Sequence, residues 1–185
     1  MDEDDLPKFE PLNVKCSDSD CESDRHCFLF NKQKMSEDDR GACRTCGKKL
    51  VNWERIRRRD PADALNTFDA LQYELIRHVF FHAGFDERAM RLSQKYGIDG
   101  VKGRIRSRLR SKVGKTPDGW DGRQTPKQGD VIHYAQHATA TCCRKCIAYW
   151  HNIPADRPLT EAELDYLGSL IGAYIDLRAP EIWPD

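Results

Sequence analysis

The chain has 185 residues, of which 39% are hydrophobic and 32% are charged, with a formal net charge of zero and a mean hydropathy of −0.75. This length suffices for one domain with a buried core, whereas two full domains would be cramped. No run approaches the roughly 18 apolar residues of a membrane span, and the acidic start lacks the basic and apolar parts of a secretory signal. We therefore expect a cytoplasmic protein with no membrane partner.

The net charge of zero conceals two oppositely charged segments. Residues 1–24 carry nine acids and two bases, whereas residues 91–128 carry eleven bases and three acids. A segment as basic as the second could contact phosphate groups.

The first 46 residues show little sign of regular structure. Residues 1–15 are acidic and have no period, so we predict a tail there. Residues 16–46 are rich in Asp, Ser, Lys and Arg and predict only a short strand at 27–30. Loops this irregular usually need an external tie such as a bound metal.

The middle of the chain predicts three helices. Asp60 followed by proline is typical of a helix start, and the apolar spacing continues over 60–82. Glycines separate two further helices, over 86–96 and over 101–113. The last of these has a stripe of apolar residues every four positions, which predicts a buried face. These are Val101, Ile105, Leu109 and Val113.

The C-terminal part predicts a turn-rich loop over 114–129, a short strand over 131–134 and two helices. The first of these helices starts near Thr141, and the second starts at Thr160, where Thr160 and Glu163 form a capping box. The predicted fold class is therefore mainly α with short β-strands, an α+β arrangement.

We divide the chain into the acidic tail and one zinc-binding domain over 16–185. Within that domain we distinguish a cysteine-rich part over 16–59, a helical insertion with a basic helix over 60–113 and a C-terminal part over 114–185.

Eight cysteines in a reducing compartment favour metal ligation over disulfides. Two pairs with two residues between the thiols stand out, Cys43 with Cys46 and Cys143 with Cys146. Together they predict one closed four-thiolate zinc site, in a treble-clef-like arrangement with a long helical insertion.

A second group of possible ligands lies within twelve residues: Cys16, Cys21, His26 and Cys27. It permits a second zinc, for which Cys142 or His137 could supply a missing ligand. The grouping stays open, because Cys43 and Cys46 could instead close a local site with two of these cysteines.

The remaining histidines are weaker candidates. His78 and His82 are four apart on one helix face and could hold a metal together, although core or surface histidines are the more common case. His133, His137 and His151 flank the later cysteines and could act as ligands or as general bases. An active site, if the protein is an enzyme, would be expected among these three.

Many basic residues could neutralise the phosphate groups of a nucleic acid, and the indole rings of Trp53 and Trp120 could stack on its nucleobases. The basic residues are Arg104, Arg106, Arg108, Arg110, Lys112, Lys115, Arg55, Arg57, Arg58 and Arg59, with Arg123 in addition. A solvated surface, or pairing with the protein's own acidic tail, is the alternative interpretation of such a charge run.

The stretch Ala135-Gln-His-Ala-Thr-Ala-Thr-Cys-Cys-Arg-Lys-Cys146, with Tyr149-Trp-His-Asn-Ile-Pro154 and Arg157-Pro-Leu-Thr-Glu-Ala-Glu163 after it, resembles the C-terminal signature of a bacterial and phage domain of unknown function. The resemblance covers about the last third of the chain. It implies membership of that family and metal ligation, and it names no reaction.

These observations predict a zinc-binding protein that binds DNA or RNA through its basic helix. One alternative is a metal-dependent nuclease of treble-clef type with His137 as base, although the other residues of such a site are not found. The other alternative is a protein-interaction adaptor in which zinc only maintains the fold.

Overall fold

The computed structural model describes residues 10–115 and 125–184, and helices dominate these ranges. Short 3-10 turns include Cys21–Ser23, Glu37–Asp39 and Pro61–Asp63. Eight α-helices follow in the described ranges: α1 (Trp53–Arg57), α2 (Ala64–Leu71), α3 (Leu75–His82), α4 (Glu87–Gly103), α5 (Ile105–Lys112), α6 (Val131–Ala138), α7 (Arg144–His151) and α8 (Glu161–Ile182). Across these ranges, none of the helices combines the length and the apolar character that a membrane crossing needs.

Helix α6 is the centre of the fold. Each of its eight residues is buried, because α3 packs on one side of it and α8 on another. Helices α4 and α5 also pack on α8, and α1 packs on α7. The apolar stripe predicted at Val101, Ile105, Leu109 and Val113 is buried against this core, which confirms that interpretation.

The predicted capping box at the start of α8 is confirmed. The Thr160 hydroxyl accepts a hydrogen bond from the Glu163 backbone at 3.2 Å, and the Glu163 carboxylate accepts one from the Thr160 backbone at 2.9 Å. Arg157 also binds this carboxylate, and its hydrogen bond is the main cause of lowering the pKa of Glu163 to about 2.

The single helix predicted over 60–82 is wrong, because the chain leaves the helical conformation between α2 and α3. Glu74 is extended there and bridges to His26. The His26 backbone donates to the Tyr73 carbonyl at 2.7 Å and accepts from the Leu75 amide at 2.9 Å. The break in the helix is therefore the place where the N-terminal segment docks.

Both predicted strands are also wrong. Residues 27–30 have no regular secondary structure. The only β-structure in the described ranges consists of isolated bridges. Residues 131–134 form the first turn of α6, since the Asp130 side chain accepts a hydrogen bond from the Ile132 amide at 3.0 Å. An apolar run of four residues fits a buried helix as well as a strand.

The other helix bounds shift modestly. Helix α4 continues beyond Gly97, whose φ of 65° kinks it, and reaches Gly103, so that α5 is shorter than the predicted 101–113 helix. The helix expected near Thr141 begins at Arg144.

Position 41 requires a glycine for two reasons, its left-handed backbone conformation and the close approach of the Trp53 ring. The φ of Gly41 is +87°, and a Cβ added there would lie 2.4 Å from Nε1 of Trp53. That same indole nitrogen donates to the Gly41 carbonyl at 2.9 Å. We expect Gly41→Ala to lower the free energy of unfolding by about 2 kcal/mol or more, of which the left-handed backbone accounts for about 1 kcal/mol.

Urea unfolding in a double-mutant cycle with Trp53→Leu checks this expectation. The Gly41→Ala cost should fall to the backbone part once the indole is gone. An unchanged cost in the two backgrounds would show that the indole contact has no role.

Candidate metal centres

Four side chains of metal-ligand type converge in the N-terminal segment, and we call them the first cluster: Cys21, His26, Cys43 and Cys46. One ligand atom from each lies within 4.8 Å of the others. The sulfurs of Cys21 and Cys43 are 3.8 Å apart, and the Cys46 sulfur is 3.4 Å from Nδ1 of His26. Ligands about 2.3 Å (sulfur) and 2.0 Å (nitrogen) from a tetrahedral zinc have separations of this size.

The turn between Cys43 and Cys46 directs both sulfurs to the same point. The Thr45 amide points at the Cys43 sulfur at 3.4 Å, and the Gly47 amide donates to the Cys43 carbonyl at 2.8 Å. Gly47 has a φ of +77°, which a glycine adopts without strain. N–H groups aimed at a sulfur favour its anionic form, the form that binds a metal.

Both ring nitrogens of His26 have partners, which fixes the orientation of the ring. While Nδ1 faces the first cluster, Nε2 donates to the Asp24 carboxylate at 2.9 Å. A carboxylate on the far nitrogen is the common second partner of a metal-binding histidine, because it fixes the tautomer and raises the basicity of the ligating nitrogen. The residue is completely buried, and its backbone is paired to the α2–α3 break.

A second cluster lies at the start of α7 and consists of Cys142, Cys143 and Cys146. All three are buried, and their sulfurs lie within 4.8 Å of one another. Cys143 caps the helix, and its sulfur accepts a hydrogen bond from the Cys146 amide at 3.4 Å. The positive end of the helix dipole favours thiolates at this position.

Cys16 approaches the second cluster from the N-terminal segment. Interaction with the Cys146 thiol is the main cause of lowering the pKa of Cys16 to about 6, and Cys16 lies outside the 4.8 Å grouping of the three sulfurs. The buried thiol of Cys27 donates to the Cys16 carbonyl at 3.1 Å, which holds the backbone in this position.

Arg77 is completely buried behind the second cluster. Its guanidinium donates to the Cys146 sulfur at 3.2 Å and approaches the Cys142 sulfur at 3.7 Å. It also donates to the Glu74 carboxylate at 2.9 Å and to the His137 carbonyl at 2.6 Å. A buried cation in contact with two sulfurs compensates part of the charge that thiolates would carry.

Without a bound cation the crowded thiols shift in both directions. Burial opposes the Cys43 thiolate, but amide hydrogen bonds lower the pKa of Cys43 to about 6, whereas the anions of Cys21 and Cys143 are disfavoured. Burial, followed by hydrogen bonds with Cys46 and Cys43, raises the pKa of Cys21 to about 12. The hydrogen bond with Cys142 is the main cause of raising the pKa of Cys143 to about 12. A metal ion would remove this penalty by displacing the protons.

The structure divides the predicted thiols differently from the sequence interpretation. Cys43 and Cys46 belong to the first cluster, and Cys143 and Cys146 belong to the second, so these four do not meet around one ion. The treble-clef-like grouping is therefore absent from the described residues. The local alternative, in which Cys43 and Cys46 close a site with two of the earlier cysteines, is met in part, because one cysteine and one histidine, Cys21 and His26, complete the first cluster.

Two members of the predicted second group are elsewhere. Neither Cys16 nor Cys27 belongs to a cluster. The Cys16 thiol interacts with Cys146 of the second cluster, and the Cys27 sulfur contacts the Cys16 backbone. His78 and His82 share a face of α3, with ring centroids 4.2 Å apart, but neither belongs to a cluster.

The three histidines proposed as bases are buried. His151 has both nitrogens engaged, one with the Thr139 carbonyl at 2.9 Å and the other with the Tyr166 hydroxyl at 3.3 Å. His133 and His137 each donate through one nitrogen to a backbone carbonyl and leave the other without a partner. Burial lowers the pKa of His137 to about 3, so its imidazole is neutral.

Many of the bases predicted to contact nucleic acid have acidic partners within the chain. Arg104 and Arg108 pair with Asp130 at 3.2 and 3.5 Å, and Arg106 and Arg110 pair with Glu161. Near α1, the pairs are Arg55 with Asp63, Arg58 with Glu54 and Arg59 with Glu163. Arg57 lies over the Trp53 ring at 5.2 Å, and Lys112 and Lys115 are exposed. Trp120 and Arg123 lie outside the described residues.

Sequence reasoning missed Asp24, Glu74 and Arg77. Asp24 lies two residues before a ligand-type histidine, which is a local signal that could have been used. Arg77 interrupts the apolar face of α3 between Ile76 and His78, and a charge there predicts a buried partner without identifying it.

Residues 65–176 of the chain match the domain of unknown function DUF4186. This range includes the second cluster and Arg77 and excludes the first cluster and Cys16. No solved structure matches the chain. The match spans more than half of the sequence, and the chain therefore belongs to the DUF4186 family.

Proposed function

We propose that the protein binds two zinc ions, one at each cluster, and that both ions are structural. The observation that carries this proposal is the first cluster, where three thiols and one imidazole converge and the far nitrogen of that imidazole is bound to Asp24. Thiolate and imidazole sets select zinc over magnesium or calcium, which prefer oxygen ligands. The four protein ligands of the first cluster leave no position for a substrate.

The zinc sites require reduced thiols, which supports a cytoplasmic location, because glutathione and thioredoxin keep thiols reduced in the cytoplasm.

The first cluster lies in a segment that has little regular structure of its own. The ion there would thus supply folding free energy that the loops at 16–50 cannot obtain from helix packing.

Native mass spectrometry with elemental analysis tests the proposal. We expect two zinc ions per chain in the wild type, one in Cys21→Ser and two in Cys27→Ser, since Cys27 is a buried cysteine outside both clusters. A wild type without zinc, or Cys21→Ser with two, would contradict it.

We further propose that DNA or RNA binds weakly at the basic face of α5. The support is that six bases, Arg104, Arg106, Arg108, Arg110, Lys112 and Lys115, meet only three acids among the described residues, Asp130, Glu161 and Asp165. The pairs with Glu161 are exposed, and exposed ion pairs are worth about 0–1 kcal/mol, so phosphate groups can replace these acids. A dissociation constant of about 10⁻⁴–10⁻⁶ M is expected for such binding.

Charge reversal at the end of α5 tests this second proposal. Lys112→Glu with Lys115→Glu should weaken binding to a short duplex at least tenfold at low salt, and should reduce its salt dependence, because two phosphate contacts are lost. The matched control is Lys32→Glu with Lys34→Glu, which makes the same charge change at two exposed lysines elsewhere.

Equal affinity in both double variants would overturn the assignment of this face. The same incubation separates the alternatives: intact oligonucleotide is expected, and fragments would indicate a metal-dependent nuclease. Absence of nucleic-acid binding in the wild type would favour a protein-interaction adaptor.

A further inference from the structure

The second cluster presents three sulfurs, and a closed tetrahedral zinc site needs a fourth ligand. Two residues outside the cluster are near enough to consider, Cys16 and His137, which line one cavity of about 260 Å³ together with Ile76. The identity of the fourth ligand decides whether the N-terminal segment is tied to the family domain.

Cys16 lies beside the cluster, outside the 4.8 Å grouping of its three sulfurs. Its thiol interacts with that of Cys146, which is a member of the cluster. His137 is in a different situation, because its backbone carbonyl faces Arg77 and its Nε2 donates to the Thr125 carbonyl at 2.9 Å. Neither residue falls within the 4.8 Å grouping, but the Cys16 thiol interacts with a cluster member, whereas Nδ1 of His137 has no hydrogen-bond partner.

The chain before Cys16 is anchored so that its thiol stays at the cluster. Val14 is completely buried in the core, and the Lys127 ammonium donates to the Val14 carbonyl at 2.6 Å. The Cys27 thiol donates to the Cys16 carbonyl at 3.1 Å. Three independent contacts therefore fix the backbone on both sides of the sulfur.

The surrounding charges suit a site with four thiolates. Four thiolates and one Zn²⁺ have a net charge of −2, which is costly in a buried position without positive neighbours. Arg77 contacts two of the sulfurs, and both Arg77 and Lys127 act electrostatically on Cys16, where they oppose the Glu74 carboxylate.

We propose that Cys16 is the fourth ligand of the second metal site, so that one zinc ion ties the N-terminal segment to the DUF4186 domain. The inference rests on the proposed zinc function. It adds that the domain's own three cysteines are completed by a residue from outside the matched range. Of the eight cysteines, seven would then bind metal and only Cys27 would not.

Zinc release to a chromophoric chelator tests the proposal. Cys16→Ser should weaken the binding of one zinc ion more than a hundredfold, which exceeds the 10–100-fold typical of a lost second-shell partner. Cys27→Ser, which keeps a donor for the Cys16 carbonyl, should release zinc like the wild type. His137→Asn should also stay within tenfold of the wild type.

The outcomes separate the two proposals. A wild type without zinc would refute the zinc function itself. Two zinc ions in the wild type with unchanged release from Cys16→Ser would refute only the role of Cys16, and a large loss in His137→Asn would assign the fourth position to the histidine.

Alkylation of the wild type provides a test that does not depend on folding of a variant. Iodoacetamide should label Cys16 in the zinc-loaded protein at least tenfold more slowly than after zinc removal, because a zinc-bound thiolate is a poor nucleophile. Equal labelling rates for Cys16 with and without zinc would overturn the proposal.

Discussion

Cys146→Ser is expected to lower the free energy of unfolding by at least about 4 kcal/mol, and the melting temperature by about 10 °C or more for a chain of this size. The reason is that Cys146 belongs to the second cluster, contacts Cys16 and accepts a hydrogen bond from Arg77. A structural zinc contributes about 10–16 kcal/mol in small peptides, which is comparable to the whole stability of a domain. Thermal unfolding followed by circular dichroism, with zinc content measured on the same sample, checks this result.

The control for this change is Cys27→Ser. Cys27 is also buried, but it contacts a backbone carbonyl and belongs to neither cluster, so its loss should cost about 1–2 kcal/mol. A chelator should lower the melting temperature of the wild type and of Cys27→Ser alike, and should have a smaller effect on Cys146→Ser. Two zinc ions and an unchanged melting temperature in Cys146→Ser would refute the second metal site.

Arg77→Met is the second substitution with a large expected effect. It should lower the free energy of unfolding by about 3–5 kcal/mol. Removal of the guanidinium leaves the Glu74 carboxylate buried, and it removes the positive charge next to the sulfurs of Cys146 and Cys142. Both consequences leave negative charge uncompensated in a buried position.

A second substitution separates these two consequences. Glu74→Gln in the Arg77→Met background removes the unpaired carboxylate and keeps an acceptor for the Trp150 indole, which donates to Glu74 at 2.9 Å. The double variant should therefore recover part of the lost stability while its zinc affinity stays reduced. Urea unfolding together with chelator competition measures both, and wild-type zinc affinity in Arg77→Met would show that the arginine does not assist the metal site.

The residue types of the metal sites were predictable from the sequence, but their grouping was not. Spacing shows that Cys43 and Cys46 can reach one ion, because a short turn joins them. It contains no information on which distant segment supplies the remaining ligands. That choice is made by the pairing of His26 with the α2–α3 break, and neither partner shows a strand pattern.

The errors in secondary structure have a related cause. The chain over 60–82 has a helical period throughout, and the helix is interrupted only because Glu74 pairs with another segment. Residues 131–134 are short and apolar, and a side-chain cap at Asp130 made them a helix. Where the pattern was long and reinforced by a cap, as at Thr160, the prediction was correct.

For the basic helix, too, the sequence did not reveal which distant residues contact it. The apolar stripe of α5 was predictable from a period of four residues. The acids that meet its arginines, Asp130 and Glu161, are more than 20 residues away in the sequence and were invisible to a count of local charge.

A ¹H–¹¹³Cd correlation spectrum of the cadmium-substituted protein tests the division into two metal sites most directly, because it shows which cysteine protons couple to which ion. We predict two cadmium resonances. Cys21, Cys43 and Cys46, with His26, should couple to one resonance, and Cys142, Cys143 and Cys146 should couple to the other. Coupling of Cys43 and Cys46 to the same ion as Cys143 and Cys146, or no bound cadmium, would contradict this account.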